Sequence, residues 1–298
     1  MSFTRYEGNG NQQPLFKNEF VGIPRKPMPK KNHKKHYWIG TSGFSYDDWV
    51  GEVYPERLNK NKWFDYYCSL FNALELNMSY YRLPSKKVIF SFLNRAPKDF
   101  FLSVKAHQTI THKKQMDFVP AFNDLMSLIG GHGMHAVLLL QFPNAFKYQR
   151  ENFVFLQGLC DILNCKKAVE FRDDSWNSRE IRNWAQDNSI LLVSVDEPRL
   201  KGLMPPTLVD CNGMYVRFHG RNAARWWRHE KAYERYDYLY SDEELLEWVK
   251  KIRMEPEKPI VFFFNNHYKG QSVKNALMFS ELLEKNIKKT FRDGVSGI

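Results

Sequence analysis

Eight short apolar runs alternate with stretches of helical periodicity along most of this 298-residue chain, and that alternation limits the folds open to it. The strand-like runs lie near residues 37–44, 73–78, 100–106, 135–142, 167–172, 190–196, 213–219 and 259–266. Helix-like stretches fall between them, near 60–71, 85–94, 120–130, 150–163, 178–187, 241–253 and 271–286. Strands that alternate with helices make parallel βα units. Eight such units match a single-domain (β/α)8 TIM-like barrel in number and length, since that fold takes roughly 250 residues. The competing arrangement is an open doubly wound sheet, but no G-x-G-x-x-G follows the first strand. Helix starts agree with the parse. Ser241-Asp242-Glu243-Glu244 is a capping-box string ahead of Leu245, and Ser178 stands in the same relation to Ile181. The segments 198–212 and 220–240 form long loops after strand ends, on the face where such barrels carry their sites.

Residues 1–36 differ from this pattern. They are rich in Asn, Gln, Lys, Pro and Gly and hold eight Lys/Arg against Glu7 and Glu19. The formal charge of the chain is +11, so about half of the excess sits there. The expected organisation is a disordered basic tail over 1–36 and a barrel domain over 37–298. Within the tail, Gln12, Leu15 and Phe16 fit the loose Q-x-x-L-F pattern of peptides that dock on the bacterial sliding clamp. No apolar run approaches the roughly 20 residues of a membrane span and no signal peptide is evident, so the expected location is the cytoplasm with no membrane partner. Cys68, Cys160, Cys165 and Cys211 form no C-x-x-C pair and read as reduced thiols in apolar surroundings.

Polar residues cluster where the strand-like runs end. In chain order these are Thr41 and Ser42, Glu75 and Asn77, Lys105 and His107, Gln141, Glu170 and Arg172, Asp196, Arg217 and His219, then Asn265 and Asn266. Alternate side chains of a strand share a face, so Glu75 pairs with Asn77, Glu170 with Arg172, and Arg217 with His219. Charges aimed into a barrel are costly unless paired or used. The set reads either as a structural ion-pair network, such as Glu75–Lys105 or Glu170–Arg217, or as a site for anion binding and acid/base chemistry. Arg172, Arg217 and Lys105 suit phosphate or carboxylate. Glu75, Glu170, Asp196, His107 and His219 could ligate a divalent metal, which is the weaker fit because those three cations would repel it. Thr41-Ser42-Gly43 could offer backbone N–H groups to a phosphate, or make a tight turn. Aromatic residues crowd the loops, among them Trp49, Tyr54, Tyr80, Tyr81, Trp176, Trp226, Trp227 and Tyr236. They could stack on bases or sugars, or pack the loops onto the barrel.

These strings resemble the DUF72 (YecE-like) family. The resemblance rests on Gly40-Thr41-Ser42-Gly43-Phe44, Glu75-Leu76-Asn77 with Tyr80-Tyr81-Arg82-Leu83-Pro84, Leu140-Gln141-Phe142-Pro143, Val169-Glu170-Phe171-Arg172 with Ser175-Trp176, Tyr215 through Gly220, and Phe264-Asn265-Asn266-His267. They occur in family order over roughly residues 37–286. The resemblance implies a TIM barrel similar to that of the endonuclease IV superfamily, whose dense metal-ligating histidines have no counterpart here. The expected function is an enzyme acting on a phosphate-bearing substrate, a small phosphorylated ligand or nucleic acid. Arg172, Arg217 and Lys105 would hold the anion, Glu75 or Glu170 would act as general base, and His219 or Asp196 as its acid partner. The substrate-binding set would be completed by Thr41, Ser42, Asn77, Tyr81, His107, Gln141, Trp176, Asn265 and Asn266. A non-catalytic nucleic-acid-binding protein and a carbohydrate or sugar-acid enzyme are the alternatives.

Overall fold

The computed structural model describes residues 37–292 apart from 254 and 256. The basic tail and its Gln12, Leu15 and Phe16 lie outside the described residues. Eight parallel strands close into a barrel in sequential order, with the first paired to both the second and the eighth. They are β1 (Tyr37–Ser42), β2 (Ala73–Leu76), β3 (Phe101–Lys105), β4 (His135–Gln141), β5 (Lys167–Glu170), β6 (Leu191–Asp196), β7 (Met214–Phe218) and β8 (Ile260–Phe264). The helices are α1 (Trp63–Leu70), α2 (Met78–Tyr81), α3 (Lys86–Leu93), α4 (Gln108–Thr111), α5 (Val119–Gly131), α6 (Arg150–Ile162), α7 (Arg179–Asp187), α8 (Ala223–Trp226), α9 (Asp242–Val249) and α10 (Gln271–Arg292). The seven longer helices fall on the seven helical stretches of the sequence. No helix forms between β6 and β7 among the described residues, where Pro198, Pro205 and Pro206 interrupt the chain.

Local chemistry sets the helix starts. The Ser178 hydroxyl accepts from Ile181 N–H, and Ser241 and Glu244 make a reciprocal capping box. Glycine is required where backbones crowd. A Cβ on Gly40 would stand 2.1 Å from the Ala73 carbonyl oxygen, across the β1–β2 contact. Gly220 has φ +89 and would press a Cβ to 2.8 Å from Tyr238.

Two separate apolar cores follow from strand alternation. One lies between the barrel wall and the helices. The other fills the barrel and comprises Ala73, Phe101, Val137, Leu139, Ala168, Leu191, Val193, Val195, Tyr215, Val261 and Phe263. That inner set identifies which side chains of each strand point inward. Counting on by two from it reaches Glu75, Ser103 and Lys105, Gln141, Glu170 and Arg172, Glu197, Arg217 and His219, and Asn265. The apolar plug is thus capped, at the C-terminal ends of the strands, by a polar layer. No helix among the described residues is long and apolar enough to cross a membrane. The four cysteines are free thiols, and burial pushes Cys160 up to about 12.

Candidate functional site

Glu170, fully buried at the end of β5, is the hub of the polar layer. Its Oε1 accepts from Arg172 Nε at 2.5 Å and its Oε2 from Arg217 Nη1 at 2.6 Å. Arg217 extends the network across the barrel, donating from Nη2 to Glu75 Oε1 at 2.6 Å and lying 3.4 Å from Ser42 Oγ. The Tyr215 hydroxyl bridges Glu75 Oε2 at 2.9 Å and Ser103 Oγ at 2.7 Å. On the other side Arg172 Nη1 donates to Glu197 Oε2 at 2.7 Å. Burial pushes the Glu170 carboxyl up, but Arg217 and Arg172 outweigh it and hold the group well below the usual carboxylate range.

His219 completes the hub. Its Nδ1 lies 3.0 Å from Asn265 Nδ2 and 3.3 Å from Arg172 Nη2. Both neighbours are donors, so Nδ1 is the acceptor and the ring proton belongs on Nε2. That nitrogen lies 3.3 Å from Glu170 Oε1, within ion-pair distance but outside hydrogen-bond geometry. Burial, reinforced by Arg172, drives the His219 pKa well down, which keeps the ring neutral.

Two groups in this layer titrate near neutrality. Burial pushes Glu197 up to about 7 against the pull of Arg172 and the Met204 backbone N–H, and its Oε1 has no partner of good hydrogen-bond geometry in the protein. Burial and then the Arg217 guanidinium push Lys105 down to about 7, against Glu75 and Glu170. Lys105 forms no ion pair among the described residues. Its Nζ lies 4.3 Å from the centre of the Tyr80 ring. The expected Glu75–Lys105 pair is therefore replaced by Glu75–Arg217, while Glu170–Arg217 forms.

Not every expected residue reaches this layer. Asp196 lies on β6 with its side chain toward the helices, not the barrel interior. It accepts two bonds from Arg221, at 2.8 and 2.7 Å, with Tyr240 at 2.8 Å and Trp248 Nε1 at 2.6 Å. Its neighbour Glu197 holds the inward position. Thr41 is also on the outer face, between Gly43 O and Tyr67. Asn266 donates to Tyr238 O and Asn275, holding the β7–α9 loop to α10. His107 caps α4 by accepting from Thr109 N–H and lies 3.1 Å from Tyr81 O. Trp176 is 1% exposed, stacks on Phe171 at 4.2 Å and donates to Phe146 O, so it is a pillar under the β5 loop. Gln141 is inward-facing and donates to Phe142 O, and Asn77 leaves its buried Oδ1 without a protein partner. Trp49, Tyr54 and Trp226 are buried, whereas Tyr81 at the end of α2 is 72% and Trp227 just after α8 is 53% exposed. Both arginines, expected to hold an anion with Lys105, are engaged by Glu75, Glu170 and Glu197. Glu197, Tyr215 and Ser103 were missed by the sequence reading. Tyr215 and Ser103 carry a signal in hindsight, each two residues before an inward-facing cation.

A (β/α)8 barrel with a buried carboxylate–guanidinium network at the C-terminal ends of its strands is the class defined by this geometry. Among the described residues no cluster of three or more His, Cys, Asp or Glu is arranged to hold a metal ion. The chain belongs to the DUF72 family, described as a protein of unknown function, which it matches over residues 38–295. It is 27% identical over 275 residues to the UPF0759 protein YunF of Bacillus subtilis, spanning 83% of this chain and 94% of that protein. The solved structure of a DUF72 family protein from Thermotoga maritima is 37% identical, with a TM-score of 0.76 over 83% of this chain and 99% of that one. A DUF72 family protein from Enterococcus faecalis, at 24% identity and a TM-score of 0.72, covers 83% of this chain and 95% of its own and shares the fold.

Proposed function

We propose that this chain is an enzyme that performs acid/base chemistry on a small phosphate-bearing substrate in the C-terminal mouth of the barrel. One observation carries the reading. The ion network is not saturated, and its unmet groups lie at the same end of the barrel. Arg217 Nε and Asn77 Oδ1 are buried without a hydrogen-bond partner in the protein, and Glu197 Oε1 and His219 Nε2 have none of good geometry. Buried polar groups are partnered as a rule, and a purely structural ion network gains nothing from leaving donors and acceptors unmet. The unpaired Lys105 is a polar-layer cation that no carboxylate among the described residues claims. The β7–α9 loop carries Arg225, Arg228 and Lys231 on the same face of the barrel, positive charge for a phosphate. Glu197 and Lys105, both near neutrality, are the groups able to exchange protons at physiological pH. Glu170 serves as the anchor of the two guanidiniums, with neutral His219 beside it.

The test is a binding screen by calorimetry, using matched pairs of phosphorylated and unphosphorylated sugars and nucleosides, followed by Glu197→Gln and Asn77→Ala. Binding of phosphorylated members alone, weakened by either substitution, supports the reading. Equal binding of both members, or none, sinks it. The exposed Tyr81 and Trp227 favour a second reading, in which the mouth stacks a base of single-stranded nucleic acid. In that case oligonucleotides would outcompete every small phosphate in the screen.

A further inference from the structure

Lys105 is the cation that the network does not use. Arg217 and Arg172 between them satisfy Glu75, Glu170 and one oxygen of Glu197. The Lys105 side chain follows Phe101 and Ser103 on the inward face of β3, at the strand's C-terminal end. Its carbonyl accepts from Ser79 Oγ at 2.6 Å, which fixes the strand end. Its Nζ lies over the aromatic ring of Tyr80, 4.3 Å from the ring centre. A lysine kept only for charge balance would meet a carboxylate here, and both nearby ones are taken by arginine.

We propose that Lys105 is a covalent catalytic residue, the amine that forms a Schiff base with an aldehyde or ketone bearing a phosphate group. This rests on the proposed function of the same site and names its substrate class. The Nζ lone pair attacks the carbonyl carbon while the carbonyl π pair moves to oxygen, and a proton passes from the nitrogen to that oxygen, giving a neutral carbinolamine. Loss of that hydroxyl as water leaves a protonated imine, and the positive charge then withdraws electrons from the adjacent carbon. The inward-facing Glu197 is the acid in the mouth available to protonate the departing oxygen.

The environment suits the step. Burial and Arg217 lower the affinity of Nζ for its proton, Glu75 and Glu170 partly oppose them, and Arg172 adds to the depression. Tyr80 and His112 are the titratable groups on the loop side. His112 is itself pushed down to about 4 by burial and by Lys105, and so stays neutral. An amine with its pKa near 7 carries on the order of 10³ times more free base at neutral pH than an ordinary lysine.

The experiment treats the full chain with glycolaldehyde phosphate and borohydride at pH 7, then maps modified lysines by mass spectrometry. Unphosphorylated glycolaldehyde and Lys105→Met are the controls. The expected result is reduced adduct at Lys105 at least roughly tenfold faster than at the median lysine, suppressed by inorganic phosphate and weaker with the unphosphorylated aldehyde. The comparison among lysines within one wild-type chain stands even where the variant fails to fold. An unmodified Lys105 alongside labelled surface lysines overturns the proposal. If inorganic phosphate still raises the melting temperature in that case, the phosphate-site reading survives. If phosphate has no effect either, both readings fall.

Discussion

Asp196 and Glu197 are consecutive in the chain and face opposite sides of the barrel wall. Asp196 is bound by Arg221, Tyr240 and Trp248 beneath the helices, and Glu197 by Arg172 inside the barrel. Strand alternation separates them, and it gives them different work. Asp196→Asn removes one charge of a buried pair and should cost about 3 kcal/mol of folding stability. Glu197→Gln keeps an acceptor for Arg172 and should cost less than about 1.5 kcal/mol. Denaturant unfolding of the two variants checks the ranking, and equal losses would contradict the assignment of faces.

Lys105 ties stability to pH. Below about 7 it is protonated in both states, and folding bears the full cost of the buried charge. Above that value the folded chain sheds the proton while the unfolded chain retains it up to the ordinary 10.5. Stability therefore rises with pH across this window, by up to about 1.4 kcal/mol per pH unit. Glu197 has the opposite sign. The stability it contributes is full below 4.5 and is lost as pH rises to about 7. The unfolding free energy of wild type minus that of Lys105→Met, measured from pH 7 to 9, isolates the lysine and should become steadily more positive with pH.

Tyr215 joins the two layers of the barrel, its ring in the apolar plug and its hydroxyl on Glu75 and Ser103. Tyr215→Phe leaves Glu75 with Arg217 as its remaining strong partner and should destabilise by about 1–3 kcal/mol. Ser103→Ala should cost less, because Tyr215 keeps its bond to Glu75. Chemical denaturation of both variants and the double mutant would measure the coupling.

Gly40→Ala should be among the most damaging small substitutions in the chain. The added methyl meets the Ala73 carbonyl carbon at 2.6 Å and its oxygen closer still, and backbone cannot swing aside as a side chain can. A loss above about 3 kcal/mol, or failure to fold, is expected. Expression and thermal melting of the variant decide it.

Much of this fold can be read from the chain, because each of the eight strands carries its own apolar signal and each long helix its own start. The inward face was harder to read. Parallel barrel strands are buried on both sides, so Leu191 through Asp196 shows no in–out alternation that would mark Glu197 over Asp196. Glu75, Glu170, Arg172, Arg217 and His219 emerged together because charge at alternate positions has no second home in a barrel. Thr41 and Asn266 were assigned to the mouth by position along the strand alone, and Trp176 as one of the loop aromatics. The helices and loops that claim them contribute contacts from residues far away in the sequence.

The apolar plug beneath the polar layer gives the barrel one doorway. Phe101, Tyr215, Val261 and Phe263 fill the barrel beneath that layer, so a ligand of the proposed site would have to enter and leave through the loops of the C-terminal face. Arrival and departure then compete for a single passage. A spent ligand would block a fresh one, and the loops around that passage, more than the ions at its floor, would govern how fast the site is emptied.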